Sequence, residues 1–154
     1  LQALRHHYQV PFIINDDYEF CGILNADGIH LGKDDITIEE VRDRLGNDII
    51  VGISCYNDFE RVNKMMATNC DYIALGACFP TKTKPNAPHA SLNFLENVVE
   101  ISIKPVVAIG GINLDNCVPI INSGVNAIAM INALYSTDKV SNKILEIKRK
   151  FING

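Results

Sequence analysis

The sequence predicts an α/β fold, a (β/α)8 TIM barrel of which about six of the eight βα units are present in 154 residues. Three observations carry that expectation. Six short runs rich in Ile, Val and Ala recur at a regular gap, with little polar alternation inside them. Strands buried on both faces of a parallel sheet read this way. Helical patterns fill the gaps, and parallel neighbours need such right-handed crossovers. No GxGxxG follows the first run, as an open doubly wound dinucleotide fold would have. The glycine pair comes late instead, at Gly110-Gly111. A compact barrel takes ~200 residues, so six units in 154 run at that rate with two units short. The opening "LQALRHHYQ" reads as the back half of a helix. The expected organisation is therefore one barrel domain over residues 1–154, lacking the first two βα units.

In chain order the strand candidates are "PFIIN" (11–15), "GIHLG" (28–32), "IIVGISC" (49–55), "DYIALG" (71–76), "PVVAIGG" (105–111) and "NAIAMIN" (126–132). Thr37 with Glu40 makes a capping box ahead of "IEEVRDRLG", and Asn57 with Glu60 repeats the spacing. Gly46 and Gly124 read as helix stops. Pro119 predicts a short or kinked helix. The "KILEIKRK" tail reads as an amphipathic closing helix, because Ile144, Leu145 and Ile147 interrupt its basic residues.

Hydrophobic residues make up 47% of the chain and charged residues 21%, with a net charge of −4. That is the profile of a water-soluble globular protein, and it argues against a nucleic-acid surface, which needs a basic stripe. No apolar run approaches the ~18 residues that span a bilayer, so no membrane partner is expected. The five cysteines, Cys21, Cys55, Cys70, Cys78 and Cys117, form no CxxC pair. They read as small buried hydrophobes in a reducing cytoplasm.

In a barrel the loops at the C-terminal strand ends make the site. Those ends carry Asn15-Asp16-Asp17, Gly32-Lys33-Asp34-Asp35, Ser54, "GACFPTKTKP" (76–85), Gly110-Gly111-Ile112-Asn113 and Ile131-Asn132. Gly110 and Gly111 allow close backbone approach to an anion at a helix start, and Asn113 can cap that helix; a tight turn explains the same glycines. Asp16 and Asp35 end neighbouring strands. They offer hard oxygens for Mg²⁺, or equally serve as two helix N-caps. Thr81, Thr83 and Lys84 suit a second anion, or an ordinary wet loop. His30 reads as a packed histidine. Two anion sites flanking a metal imply a phosphorylated substrate and a pyrophosphate substrate, with group transfer and no redox step.

"FIINDDYEF", "ADGIHLGKDD", "GIS", "DYIALGACFPTKTKP", "VVAIGGI" and the small-residue last strand resemble, in order, thiamine phosphate synthase. The resemblance covers essentially the whole chain. It implies a transferase of thiamine biosynthesis. A Mg²⁺-bound hydroxymethylpyrimidine pyrophosphate loses its pyrophosphate dissociatively, and the nitrogen of a thiazole phosphate captures the pyrimidine cation. It further implies that Asp16 and Asp35 hold Mg²⁺ and that Asn15 contacts the pyrimidine. Ser54, Thr81, Thr83 and Lys84 would surround the pyrophosphate, with Ser54 and Lys84 catalytic. Gly111, Ile131 and Asn132 would bind the thiazole phosphate.

Lys33 stands where the family usually has Gln, Ala77 where Pro is common, and Asn132 where Ser is usual. The family's second strand, which supplies Gln, Arg and Lys to the pyrophosphate substrate, has no counterpart. Lys84 is then the single matched cation facing that substrate, so weak activity of the 154-residue chain is expected. The exposed strand edges of an open barrel predict a homo-oligomer or instability. Two other readings compete. One is the related thiazole tautomerase, whose catalytic His follows the third strand where Tyr56 stands here. The other is a non-catalytic phosphate-binding remnant.

Overall fold

A computed structural model describes residues 2–81, 89–135 and 139–153. Helix α1 (Gln2–Tyr8) leads into β1 (Ile13–Asn15), α2 (Tyr18–Ile23), β2 (Gly28–Leu31), α3 (Ile38–Leu45), β3 (Ile50–Tyr56) and α4 (Phe59–Met66). Then come β4 (Tyr72–Leu75), α5 (Leu92–Ile101), β5 (Val106–Ile109), α6 (Cys117–Asn122), β6 (Ala127–Ala129), α7 (Asn132–Tyr135) and α8 (Val140–Asn153). The six strands form one parallel sheet in the order β1-β2-β3-β4-β5-β6, the consecutive order of a barrel wall. A doubly wound sheet would reverse its order at a switch point. All six expected strands are present, five within their expected runs, while β3 extends one residue beyond its run to Tyr56.

The two strand faces differ, and this corrects the expectation of burial on both. One parity is sealed: Ile14, Ile29, Leu31, Val51, Ile53, Ile73, Leu75, Val106 and Ala108 pack with helix residues such as Val41, Val62, Leu95, Val98 and Ile120 into a single core. On the other parity Ile13, His30, Ile50, Ser54, Tyr72, Val107 and Ile109 are only half-buried, and they belong to the barrel interior. The period of two thus assigns the outward residues to the core and the inward ones to the lumen.

Helix termini follow local chemistry. Thr37 and Glu40 form the expected capping box on α3. The second box is corrected: Asp58, not Asn57, caps α4 and accepts from Arg61 N–H. Gly46 ends α3 at φ 94°. Pro119 sits in the first turn of a helix of six residues, the short rather than the kinked outcome. Asn113 does not cap α6. Its side chain accepts from Asp115 and Asn116 N–H in the turn before it, and Asn116 holds the N-cap position.

At the N-terminal end of the sheet, cationic side chains gather loop carbonyls. Arg42 donates to the carbonyls of Asn47, Ile49 and Asn69 and pairs with Asp71 at 3.0 Å. Lys104 Nζ donates to the Thr68 and Cys70 carbonyls at 2.9 and 2.7 Å. Arg42→Ala should lower unfolding stability by about 1.5–3 kcal/mol, the range for hydrogen bonds to a charged group, because it strips this donor from the Asn47, Ile49 and Asn69 carbonyls while Asp71 stays half-exposed. Urea denaturation checks this, and unchanged stability would show that water replaces the guanidinium freely.

Candidate active site

The C-terminal ends of the strands carry the expected residues in order around one rim. Asn15 is the last residue of β1, and its amide donates to Asp16 Oδ2 at 2.6 Å. Asp16 takes φ 64°, and its N–H bonds the His30 carbonyl at the end of β2. A left-handed backbone in a non-glycine residue is uncommon, and such residues cluster at functional sites. Asp35 Oδ2 accepts from Gly32 N–H at 2.6 Å and closes the loop after β2. The N-cap alternative for this pair is excluded. Asp17 caps α2 and Thr37 caps α3, so Asp16 and Asp35 do neither.

Ser54 lies on β3 and points inward. Its Oγ is 2.9 Å from His30 Nε2, and His30 Nδ1 is 3.0 Å from the Tyr72 hydroxyl. The His30 and Tyr72 rings stack at 5.6 Å with an interplanar angle of 25°. Gly52 lies between their strands in register. A Cβ there would meet Tyr72 Cζ at 1.9 Å, so only glycine lets the phenol cross β3 to reach the imidazole. His30 is therefore a packed histidine, as expected, but one packed onto a candidate catalytic hydroxyl. The sequence reading missed that pairing, along with Tyr72 and Arg61. Arg61 Nε donates to the Ser54 carbonyl at 2.7 Å and Nη2 to the Gly32 carbonyl at 3.1 Å, which ties the ends of β2 and β3. Tyr56, at φ 56° just past a register shift, takes the Lys33 N–H on its hydroxyl at 3.3 Å.

The loop after β4 is laid along the end of β5. Cys78 N–H bonds the Ile109 carbonyl and Phe79 N–H the Gly110 carbonyl, both at 3.0 Å. Gly110 and Gly111 have φ 98° and 67°, and a Cβ on Gly111 would meet the Phe79 and Pro80 carbonyl oxygens at 2.7 Å. Thr81 follows this seam. Thr83 and Lys84 lie outside the described residues. Ile131 and Asn132 follow β6, next to the Gly111 end of β5, with Asn132 opening the four-residue α7.

The two carboxylates of Asp16 and Asp35 are hard oxygen donors, the kind that suits Mg²⁺ completed by substrate phosphates. Among the described residues no group of three or more His, Cys, Asp or Glu could hold a metal by itself. The donor set thus fits a cation bound jointly with substrate and does not fit a resident all-protein cage.

The model for the family described as thiamine monophosphate synthase matches residues 1–134. The chain belongs to the thiamine monophosphate synthase family. It is 42% identical over 151 residues to a thiamine-phosphate synthase of Methylobacillus flagellatus, covering 98% of this chain and 72% of that one. It is also 42% identical over 135 residues to that of Alcanivorax borkumensis, covering 88% and 62%. The chain thus spans between 62 and 72% of these relatives' length. Among solved structures it resembles thiamine phosphate pyrophosphorylase from Pyrococcus furiosus, with a TM-score of 0.89, 30% identity and coverage of 99% and 72%. The six-stranded sheet is the barrel wall of this synthase family.

The thiols lie behind the site. Burial pushes the Cys55 thiol up to about 12, and burial raises Cys78 to about 11 against the lowering effect of the Ile109 backbone. A thiol held above its ordinary 9.0 stabilises the fold fully below that value. The contribution falls away as pH rises from about 9 toward the folded value, because only the unfolded chain ionises there. Thermal melts from pH 8 to 11 should show a declining midpoint, and Cys55→Ala should flatten that slope. A slope unchanged by the substitution would assign the alkaline loss to other groups.

Proposed function

We propose that this chain carries the thiamine phosphate synthase reaction, joining hydroxymethylpyrimidine pyrophosphate to a thiazole phosphate with release of pyrophosphate. One observation carries the reading: the rim order Asn15-Asp16, Asp35, Ser54, Thr81, Gly111, Ile131-Asn132 follows strands β1 to β6 without interruption. Metal ligands, leaving-group donors and a second phosphate site therefore succeed one another along a single edge. The family relationship supports the same reading.

In this proposal the C–O bond to the pyrophosphate breaks first, leaving an electron-deficient pyrimidinylmethyl group and a pyrophosphate on which negative charge grows. Ser54 and Thr81 donate hydroxyl hydrogens to those oxygens, joined by Thr83 and Lys84 from the segment outside the described residues. Donors aimed where charge develops lower the barrier more than donors aimed at the ground state. Asp16 and Asp35 would hold Mg²⁺, which supplies charge neutralisation to the leaving group when bound. Asn15 orients the pyrimidine. Gly111, Ile131 and Asn132 hold the thiazole phosphate so that its ring nitrogen meets the cation, and no covalent enzyme intermediate forms. The substrates are small molecules, and five free, buried cysteines suit a reducing cytoplasm. Among the described residues no helix is long and apolar enough to cross a membrane. A single barrel domain remains part of this proposal, as does association of chains.

Turnover to thiamine phosphate with Mg²⁺ and both substrates tests the reading. Ser54→Ala should lower kcat by about 10²–10³, the cost of removing one transition-state donor, with the KM for the thiazole phosphate unchanged. Asp16→Asn and Asp35→Asn should each weaken Mg²⁺ binding measured by calorimetry with the pyrophosphate substrate present. Full activity in Ser54→Ala, or Mg²⁺ affinity unchanged in both Asp variants, would sink the assignment of those residues.

A further inference from the structure

We propose that His30 is a positioning residue that fixes the direction of the Ser54 hydroxyl through a one-way hydrogen-bond chain, Tyr72 O–H to His30 Nδ1, then His30 Nε2–H to Ser54 Oγ. The inference rests on the reading of Ser54 as a donor to an anionic leaving group, and it names how that donor is aimed.

The argument is a count of hydrogens. A serine hydroxyl has one hydrogen to give and two lone pairs to accept with. His30 Nε2 lies 2.9 Å from Ser54 Oγ, so one of the two groups donates to the other. If Ser54 donates to the ring, its single hydrogen is turned toward the imidazole. That is the arrangement of a serine primed as a nucleophile beside a base. A serine that serves a departing anion needs the opposite, with its hydrogen pointing at substrate and the ring donating to a lone pair. A neutral imidazole carrying its hydrogen on Nε2 presents a bare lone pair at Nδ1. The Tyr72 hydroxyl, 3.0 Å from Nδ1, is placed to fill it. Burial raises the Tyr72 pKa, so the phenol keeps its hydrogen across the working range. Two neutral donors in series therefore leave the Ser54 hydrogen for the ligand.

The fold makes this chain deliberately rigid. His30, Gly52 and Tyr72 stand side by side on three adjacent strands, and the missing Gly52 side chain is what allows Tyr72 to span the middle one. Ser54 lies two residues beyond Gly52 on the same face, at the rim, and its carbonyl is held from behind by Arg61. The imidazole is also stacked on the phenol at 5.6 Å, a contact that helps hold its plane while both ring nitrogens are engaged.

Two measurements on the protein test the proposal. The first needs no activity. Long-range ¹H–¹⁵N correlation of ¹⁵N-histidine-labelled protein at pH 8 reads the tautomer directly. The expected result is a protonated Nε2 and an unprotonated Nδ1 for His30, shifting toward the other tautomer in Tyr72→Phe. A hydrogen on Nδ1 in the wild-type protein overturns the proposal. The second uses variants that separate the two ring nitrogens. In His30→Gln the amide reaches the Nε2 position, whereas in His30→Asn it reaches only the Nδ1 position. His30→Asn should lower kcat about 10- to 100-fold, the range for losing a partner that orients a functional ligand, with the KM for the thiazole phosphate unchanged. His30→Gln should restore most of that loss. On a Ser54→Ala background His30→Asn should add nothing, since the two act as one unit. Equal losses in the Gln and Asn variants, or a full additional loss in the double variant, would show that His30 acts structurally or on its own. If the wild-type protein makes no thiamine phosphate at all, the proposed reaction fails, and the tautomer measurement still decides the hydrogen-bond chain.

Discussion

Everything at this site depends on the two-residue period of the strands. A parallel wall with helices outside buries one side-chain parity completely, and the core of Ile29, Leu31, Val51, Ile53, Ile73 and Leu75 shows how fully it does so. Burial of such side chains contributes roughly 1.5–3 kcal/mol each, so fold stability rests almost wholly on the outward parity. The inward parity is relieved of that duty. It can carry a histidine, a serine, a tyrosine and small residues that no hydrophobic core would tolerate unpaired. Chemistry and stability are thus separated residue by residue along the same strand: Ile53 and Cys55 hold the fold while Ser54 between them faces the lumen.

A second separation runs along the strand axis. At the N-terminal end Arg42 and Lys104 are used up on loop carbonyls, and Arg5 pairs with Asp27 at 2.9 Å. These cations satisfy acceptors that the sheet leaves over, and none faces the rim where the substrates are proposed to bind. At the C-terminal end Arg61 does related work on the Ser54 and Gly32 carbonyls, but there it also adds positive charge behind the hydroxyl that faces the proposed leaving group. This division is that of barrel enzymes generally, with stability below and reaction above.

Strand positions, their parallel order and most rim residues were legible in the sequence because each is a local signal. "IIVGISC" is a strand by composition, and Ser54 is a strand end by position. The His30–Ser54–Tyr72 chain was not legible, because it depends on stagger. His30 opposes Gly52 rather than Ser54, and only that offset lets one imidazole touch a hydroxyl on β3 and a phenol on β4. Sequence spacing does not encode relative strand shift. The role of Gly52 was hidden for the same reason, since a glycine inside "IIVGISC" signals a close approach without saying what approaches. The Asp16–Asp35 ambiguity resolved because caps are local after all: Asp17 and Thr37 took both positions, one and two residues further on.

The late glycine pair shows how a structural demand and a functional one can fall on one residue. Gly111 is required by its own backbone, at φ 67°, and by the Phe79 and Pro80 carbonyl oxygens that would stand 2.7 Å from any Cβ. That close contact is the seam along which the loop after β4 is zipped to the end of β5. The seam carries Thr81 to the neighbourhood of Gly111, and so brings the two anion sites of the proposed reaction side by side. In such a reaction a cation released from one phosphate ester must be captured by a nucleophile held through another, and the capture competes with water. Holding the reacting groups in near-attack geometry can lower a barrier by ~7–11 kcal/mol, and a seam of backbone hydrogen bonds is stiffer than any side-chain contact at fixing that distance. In the proposed reaction the glycines would act through the distance they set between two loops, whether or not either one touches a phosphate.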